Sequence, residues 1–286
     1  MKKIEQTVKS DTTLMDFLLE AFDYSRSKIK GFLQRGQVYV DGQSISQFNH
    51  PLMVGQVVAI SKEQIKEAKL KGLTILYEDD DCLVVNKASG LLTIQTNKQL
   101  KELTAHRQLS EYLQQKDPRA RIFIVHRLDR DTSGVLVFAK NERAKQILQS
   151  NWKERVTERR YVALVEGVVK QDEARLENHL GESKTHRMFT TKNKAEGIFA
   201  ALHYQVKQRG KNMSVLHVQL ETGRKNQIRV QLSAAGHPIV GDKKYGAKTN
   251  PIKRLGLHAE TITFQHPTTE EVLSFSAPVP KAFMVT

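Results

Sequence analysis

His126 to Gly134 read HRLDRDTSG, a polar stretch whose first acid, Asp129, sits between Arg127 and Arg130. Apolar runs flank it, Ile122 to Val125 before and Val135 to Phe138 after, so the charged segment joins two expected strands and does not decorate a helix surface. Loops held between rigid strands are where binding and catalytic side chains concentrate. A plainer reading stands beside this one. Asp131, Thr132, Ser133 and Gly134 are ordinary turn formers, and an arginine next to an aspartate is commonly a solvated surface pair.

Composition narrows the choice. A chain of 286 residues, 39% of them hydrophobic, can bury one substantial core and carry a main domain with a smaller companion. Its net charge of +14 and pI near 9.7 favour a polyanionic partner, because each Lys or Arg set on a phosphate releases condensed counterions. RNA or DNA is therefore the expected partner. A membrane surface also attracts cations, but there is no long apolar run, and the start MKKIEQTVKSD lacks the apolar core of a signal peptide. The expectation is a cytoplasmic monomer with no membrane partner. Cys82 stands alone, which excludes a disulfide within the chain and a zinc site built on cysteines; it reads as a buried structural thiol. The ten histidines show no close pair at metal-ligand spacing. No phosphate-binding loop ends in GKS or GKT, and no GxGxxG follows a strand, so neither a metal nor a cofactor is expected.

Toward the N-terminus, Leu14, Phe17, Leu18, Ala21 and Phe22 recur at helical spacing, and Ile29, Phe32 and Leu33 repeat the pattern after a break at Asp23 to Ser25. Gly36 ends the second helix, Val38 and Val40 alternate as a strand does, Asp41-Gly42 signals a tight turn before Ile45, and Gly55 to Ile60 is a closing strand. The string SRSKIKGFLQRGQVYVDGQ, Ser25 to Gln43, resembles the small RNA-binding domain named after ribosomal protein S-four. That resemblance implies Arg26, Lys28, Lys30 and Arg35 as RNA contacts. Read without it, these residues are a solvated helical face.

Ser61 to Gly72 is rich in charge and poor in large apolar groups, the composition of a linker. The expected organisation is an RNA-binding module over residues 1–61, a linker over 62–72 and a catalytic domain over 73–286. Ile75 to Tyr77 and Cys82 to Val85 read as strands around the acidic turn Glu78 to Asp81. Asn141 is placed to cap a helix with Ala144, Ile147, Leu148 and Trp152 on its apolar face, where Trp152 reads as core more than as a base-stacking platform. Tyr161 to Val169 reads as a strand, Leu216, Val218 and Leu220 as another, and GRKNQIRVQLSAAG, Gly223 to Gly236, as a basic helix start running into a glycine stop.

The nine-residue segment at Asp129 resembles the signature of the pseudouridine synthases that modify large-subunit ribosomal RNA, the RluA family, in which the Asp of HRLDxxTSG is the catalytic nucleophile. The small-subunit-type branch carries Gly where His126 stands. NKASGLLTI, Asn86 to Ile94, resembles that family's first motif, which usually has Pro at the place of Ala88; the change is expected to loosen the turn. YVALVEGVV resembles its YxALVxG motif, whose Tyr reaches the active site. Gly223 to Gly236 resembles the third motif, with GHPIVGDKKYG, Gly236 to Gly246, continuing it and RLGLHAETITFQHP, Arg254 to Pro267, as the last block. Here the family more often has His at Asn226 and at Gln231, departures expected to alter substrate contacts more than chemistry.

The resemblance implies an α+β protein: a small N-terminal α/β RNA-binding module, then a catalytic domain on a mixed, mainly antiparallel sheet with flanking helices. It implies an isomerase that turns RNA uridine into pseudouridine in large-subunit ribosomal RNA, with ribosomal RNA or pre-ribosomal particles as partner. Asp129, Tyr161 and Arg229 would be catalytic, and His126, Arg127, Arg224, Gln227 and Leu257 would contact substrate. The reaction breaks the bond from ribose to a uracil nitrogen, turns the base and rejoins it through carbon. No redox change or net hydrolysis occurs, so one charged carboxylate can suffice where water is kept out. Arg229 would pair with Asp129 and favour its charged form. Arg127 could fill the space left by a flipped base or bridge to the core; Tyr161 could carry the base and take its proton or be a core tyrosine. Two other functions remain open: a non-catalytic RNA-binding or ribosome-assembly protein, and a methyltransferase fused to the same module, which would need a Gly-rich nucleotide loop not found here.

Overall fold

The computed structural model describes residues 3–34, 36–61, 70–95 and 102–284. They divide into two units, one within residues 1–69 and one within 70–286. Arg35 and most of the expected linker lie outside the described residues. Leu70 to Gly72 do not behave as linker: the Lys71 N–H donates to Gln108 Oε1 at 2.6 Å, and Ala88 N–H donates to the Gly72 carbonyl at 2.8 Å. A proline at 88 could not make that second bond. The departure at Ala88 therefore fastens the turn that it was expected to loosen.

In the first unit β1 (Lys3–Thr7), β3 (Val38–Val40), β4 (Gln43–Ser44) and β6 (Val57–Ser61) form one sheet, in the order β1-β6-β3-β4, and β2 (Thr12–Thr13) pairs with β5 (Pro51–Leu52). Helices α1 (Leu14–Ala21) and α2 (Arg26–Gln34) turn Leu14, Phe17, Leu18, Ile29, Phe32 and Leu33 into its core with Val38 and Ile60. Asp41 and Gly42 both have positive φ, 49° and 83°, the geometry a tight hairpin demands. Arg26, Lys28 and Lys30 are exposed on α2, with Lys28 Nζ 4.5 Å above the Tyr24 ring.

The second unit is built on an eleven-stranded sheet. Its members are β7 (Leu73–Glu78), β8 (Cys82–Lys87), β9 (Phe123–Ile124), β10 (Ser133–Ala139), β11 (Val156–Glu166), β12 (Glu173–Glu182), β13 (Met188–Thr191), β14 (Ile198–Arg209), β15 (Met213–Leu220), β16 (Leu257–Gln265) and β17 (Val272–Ser276). Their order is β13-β12-β14-β15-β11-β16-β10-β8-β7, with β17 beside β16 and β9 beside β10; β10 and β16 run parallel and the other described pairs antiparallel. Every residue of β10 is buried. Val135, Val137 and Ala139 pack on one side with α4 (Glu142–Ser150), Leu136 and Phe138 on the other with α3 (Ala105–Lys116). A strand covered on both faces reads as an unbroken apolar run, as Val135 to Phe138 does.

Asn141 caps α4, its side chain accepting the Ala144 N–H at 2.8 Å, but the helix ends at Ser150 and Trp152 begins the one-turn α5 (Trp152–Arg155). The basic segment after β15 is likewise not helical from Gly223: a turn at Lys225 and Asn226, closed by the Gln227 N–H on the Arg224 carbonyl, precedes α6 (Gln227–Ala234), which starts only at Gln227, before Gly236 stops it with φ 88°. On β11, Tyr161 shares a sheet face with Ala163 and Val165, the face that Ile228 and Leu232 of α6 cover. That places the third motif against the tyrosine.

Candidate active site

The glycine closing HRLDRDTSG explains how the loop is fixed. Gly134 lies where β10 runs beside β16, at φ 117°, and a Cβ there would sit 2.0 Å from the Ala259 carbonyl oxygen. Only glycine allows the close approach. Thr132 and Ser133 are buried, and Ser133 Oγ lies 2.8 Å from His258 Nδ1 and accepts from Arg254 at 2.6 Å. Lys87, fully buried at the end of β8, donates to the carbonyls of Ala88, Leu91 and Arg130 at 2.8–3.0 Å, binding the first motif to the second. Burial pushes the Lys87 ammonium down to about 7, with Asp131 and Asp129 acting against it.

Asp129 is held from α6. Its Oδ2 accepts from Arg229 Nη1 at 3.0 Å and from Asn226 Nδ2 at 2.5 Å. Arg229 faces a second carboxylate, donating through Nε and Nη2 to both oxygens of Asp242 at 2.6 and 2.8 Å. Burial works against this guanidinium, yet Asp242 first and Asp129 after it hold its pKa above the ordinary arginine value. Asn226, left-handed at φ 52°, makes no cap bond to α6; its amide goes to Asp129 and its carbonyl oxygen accepts the Tyr245 hydroxyl at 3.0 Å. The Tyr245 ring lies 5.0 Å from the Arg229 guanidinium. Thus Asn226 touches the carboxylate itself. Gln231, expected at the substrate, is buried instead and donates to Asn178 Oδ1 and to the carbonyls of Leu176 and Ala200, tying α6 to β12 and β14.

A small cavity of about 70 Å³ opens on this network. Asp129, Arg229 and Tyr161 line it, with Arg127, Arg224, Gln227 and Leu257. His126 lies outside this cavity, in the lining of the larger cleft beside it. Its Nε2 accepts the Val137 N–H at 3.1 Å, its ring lies 4.8 Å from that of Trp152, and burial drives it down to about 3, so it is a neutral strut. Gln227 is at the cavity wall but fully engaged, accepting from Thr222 and the Arg224 N–H and donating to the Ala201 carbonyl. Arg127 is exposed. Burial pushes the Tyr161 phenol up to about 12, Asp129 adding to the rise and Arg159 opposing it. Its resting form is neutral.

The sequence reading leaves out Asp242, Tyr245 and Lys87. Asp242 had a local signal, an acid in the glycine-bracketed turn GDKKYG, but nothing in one sequence ties it to an arginine thirteen residues earlier. One further cluster, Asp79, Cys82 and His266, lies close enough to hold a cation. His266 Nδ1 accepts from the Thr268 and Thr269 N–H groups, which leaves the proton on Nε2, 3.0 Å from Asp79 Oδ2. Asp79 already accepts from Tyr77, Asp81 and Cys82, and burial raises the Cys82 thiol to about 12. Asp79 is occupied by these donors and the Cys82 thiol holds its proton, so the set does not suit a metal, and His266 Nε2 is left without a directed hydrogen bond.

A mixed sheet that presents one aspartate, clamped by arginine and amide beside a half-buried tyrosine in a strongly basic chain, defines an RNA-modifying enzyme of the carboxylate type. The family model for RNA pseudouridylate synthase matches residues 81–234, and the chain belongs to that family of isomerases, which convert uridine to pseudouridine in RNA. It is 34% identical over 269 residues to an uncharacterized RNA pseudouridine synthase, YlyB, of Bacillus subtilis, covering 91% of this chain and 87% of that one. It is 33% identical over 301 residues to the ribosomal large subunit pseudouridine synthase D of Vibrio cholerae, covering 97% and 92%. Human RNA pseudouridylate synthase domain containing 1 has the same fold, with a TM-score of 0.58 at 27% identity over 77% of this chain and 86% of that one. Among the described residues no helix is long and apolar enough to cross a membrane.

Proposed function

We propose that the substrate is large-subunit ribosomal RNA and that Asp129 is the carboxylate that carries the isomerisation. The observation behind this reading is the clamp on Asp129 Oδ2 by Arg229 and Asn226 at the mouth of a cavity shared with Tyr161. In the reaction the ribose bond to the ring nitrogen breaks and a bond to a ring carbon forms. The proton on that carbon leaves, and one proton ends on the nitrogen. Asp129 offers its charge or its free oxygen to the separated fragments, and Arg229, itself locked by Asp242, keeps that oxygen aimed. A target base inside folded RNA has to leave its stack, at a few kcal/mol, and Arg127 is placed to occupy the gap. Tyr161 gives the turned base a flat apolar surface. Its hydroxyl removes the carbon-bound proton only by giving up its own, because burial holds it neutral.

Large-subunit RNA as target follows from the named activity of the Vibrio cholerae relative, which aligns over nearly the full length of both chains. The test is a pseudouridine map of total RNA from cells with the gene, without it, and with Asp129→Asn in its place. One or a few large-subunit sites should disappear in the second and third strains. An unchanged map, or sites restored by the asparagine variant, would refute the assignment.

A further inference from the structure

Beside the small cavity lies a far larger cleft of about 750 Å³, lined among others by Trp152, Lys153, Arg159, Tyr161, Phe199 and Arg224. Arg159 is the anomaly in it. Arg160 sits on Glu158 and Glu260 and Arg229 on Asp242 and Asp129, while Arg254, also without a carboxylate, is engaged through Nε and Nη2 by the Ser133 hydroxyl and the carbonyls of Leu255 and Leu257. Among the described residues Arg159 has no carboxylate partner. Its Nη2 reaches only the carbonyls of Leu220 and Glu221, both at 3.3 Å, and its Nε and Nη1 make no hydrogen bond there. A guanidinium offers five donors, and a half-buried cation with most of them idle is costly unless an anion arrives. Gly223 is what lets the guanidinium lie where it does. A Cβ on Gly223 would stand 2.7 Å from Arg159 Nη1.

We infer that Arg159 is a phosphate subsite, holding a phosphodiester of single-stranded RNA adjacent to the nucleotide whose base enters the Asp129 cavity. The charges agree: Lys153, Arg127 and Arg224 line the same cleft, while its one acid, Glu221, has its carboxylate engaged by Arg175 and His203. So does the shape. Phe199 and Trp152 offer ring surface for the neighbouring base, the pairing of aromatic walls with cations that unpaired strands use. The subsite rests on the isomerase reading for its place beside the target nucleotide, and its existence can be measured without turnover.

The test is the binding of a fluorescent single-stranded uridine hexanucleotide to the full chain across a salt series, for wild type, Arg159→Met and Arg159→Lys, beside thermal melting. Arg159→Met should bind about tenfold more weakly at 0.1 M salt, the loss of one charge-assisted contact. It should also flatten the dependence of log K on log salt by about 0.7, one single-strand phosphate. Its melting temperature should hold or rise, since methionine replaces an uncompensated charge with a chain of similar reach. Arg159→Lys should keep the slope. Equal slopes for wild type and Arg159→Met, or a melting temperature lowered in both variants with binding slopes intact, would make Arg159 structural and overturn the subsite. If wild type isomerises uridine but the slopes are equal, the subsite alone falls. If the slope depends on Arg159 but the pseudouridine map never depends on Asp129, the isomerase assignment falls and the phosphate site stands.

Discussion

Two basic regions of this chain handle charge in opposite ways. At Asp129 one carboxylate oxygen is held by Arg229 and Asn226, and each holder is itself answered, Arg229 by Asp242 and Asn226 by Tyr245. On α2 of the first unit Arg26, Lys28 and Lys30 stand exposed, and among the described residues no carboxylate pairs with them. A closed network fixes geometry before substrate arrives and resists change, which is what chemistry needs. An open row of cations fixes nothing and gains from any phosphate backbone, which is what docking needs. Mutations in the first region should therefore act on rate and folding, and in the second on salt-dependent affinity.

The largest expected effect is at the centre of the closed network. Asp129→Asn keeps the shape and one acceptor oxygen but removes the charge, so turnover should fall below detection while affinity for RNA stays within a few-fold. Single-turnover assays beside filter binding check both halves. Measurable turnover by the purified variant would take the chemistry away from Asp129. Next is Arg229→Ala. Asp242, with 1% of its side chain exposed, would be left buried without its partner, at a cost of about 3–5 kcal/mol. In a unit of this size that lowers the melting temperature on the order of 10 °C, with activity lost as well. Unchanged melting would mean the network is not closed.

Tyr161→Phe separates the ring from the hydroxyl. Stability should change by about 1 kcal/mol or less, since the ring keeps its packing against α6. If the hydroxyl moves the proton, turnover should drop at least ~100-fold with binding intact, and RNA should accumulate on the enzyme after the glycosidic bond has broken. Near-normal turnover would leave Tyr161 as a surface only.

Much of this was legible in the sequence where function and local structure coincide. HRLDRDTSG exposes itself because its turn, its charges and its flanking buried strands lie within a few residues of one another, and six of the seven expected catalytic and substrate residues other than Asp129 itself meet it at one cavity. His126 stands outside that cavity and lines the adjoining cleft, and one chain does not reveal that the Val137 N–H also takes its ring nitrogen. The strands β12, β13 and β14 went unread for another reason. Their exposure alternates weakly among charged residues such as Arg175, Glu177 and Lys207, so the period-2 pattern is faint, and their partners are set by tertiary pairing. Asp242 and Lys87 were hidden by distance: an acid and a lysine acquire meaning only from the arginine and the carbonyls that the fold brings to them.

On the open side, replacing Arg26, Lys28 and Lys30 by Gln should leave melting and turnover on short fragments unchanged. It should flatten the salt dependence of binding to structured RNA by up to about 0.9 per lost contact. Equal slopes in mutant and wild type would show that this face is only solvated.

The smallest effect concerns His126, which sits at the edge of the closed network and should report it through pH. Burial lowers its folded pKa to about 3, against about 6.5 in the unfolded chain. Between those values the unfolded chain binds the extra proton, so stability rises with pH across the window. The contribution of the neutral ring is whole above pH 6.5 and is lost as pH falls toward 3, at no more than about 1.4 kcal/mol per pH unit. His126→Gln keeps an acceptor for the Val137 N–H and cannot titrate. Urea melts at pH 7.5 and pH 5 should show the wild type losing more stability than the variant on acidification, the two differing little at the higher pH. If both lose the same amount, the ring is already protonated or solvated in the fold, and the strut beside the catalytic loop is looser than its contacts with Val137 and Trp152 imply.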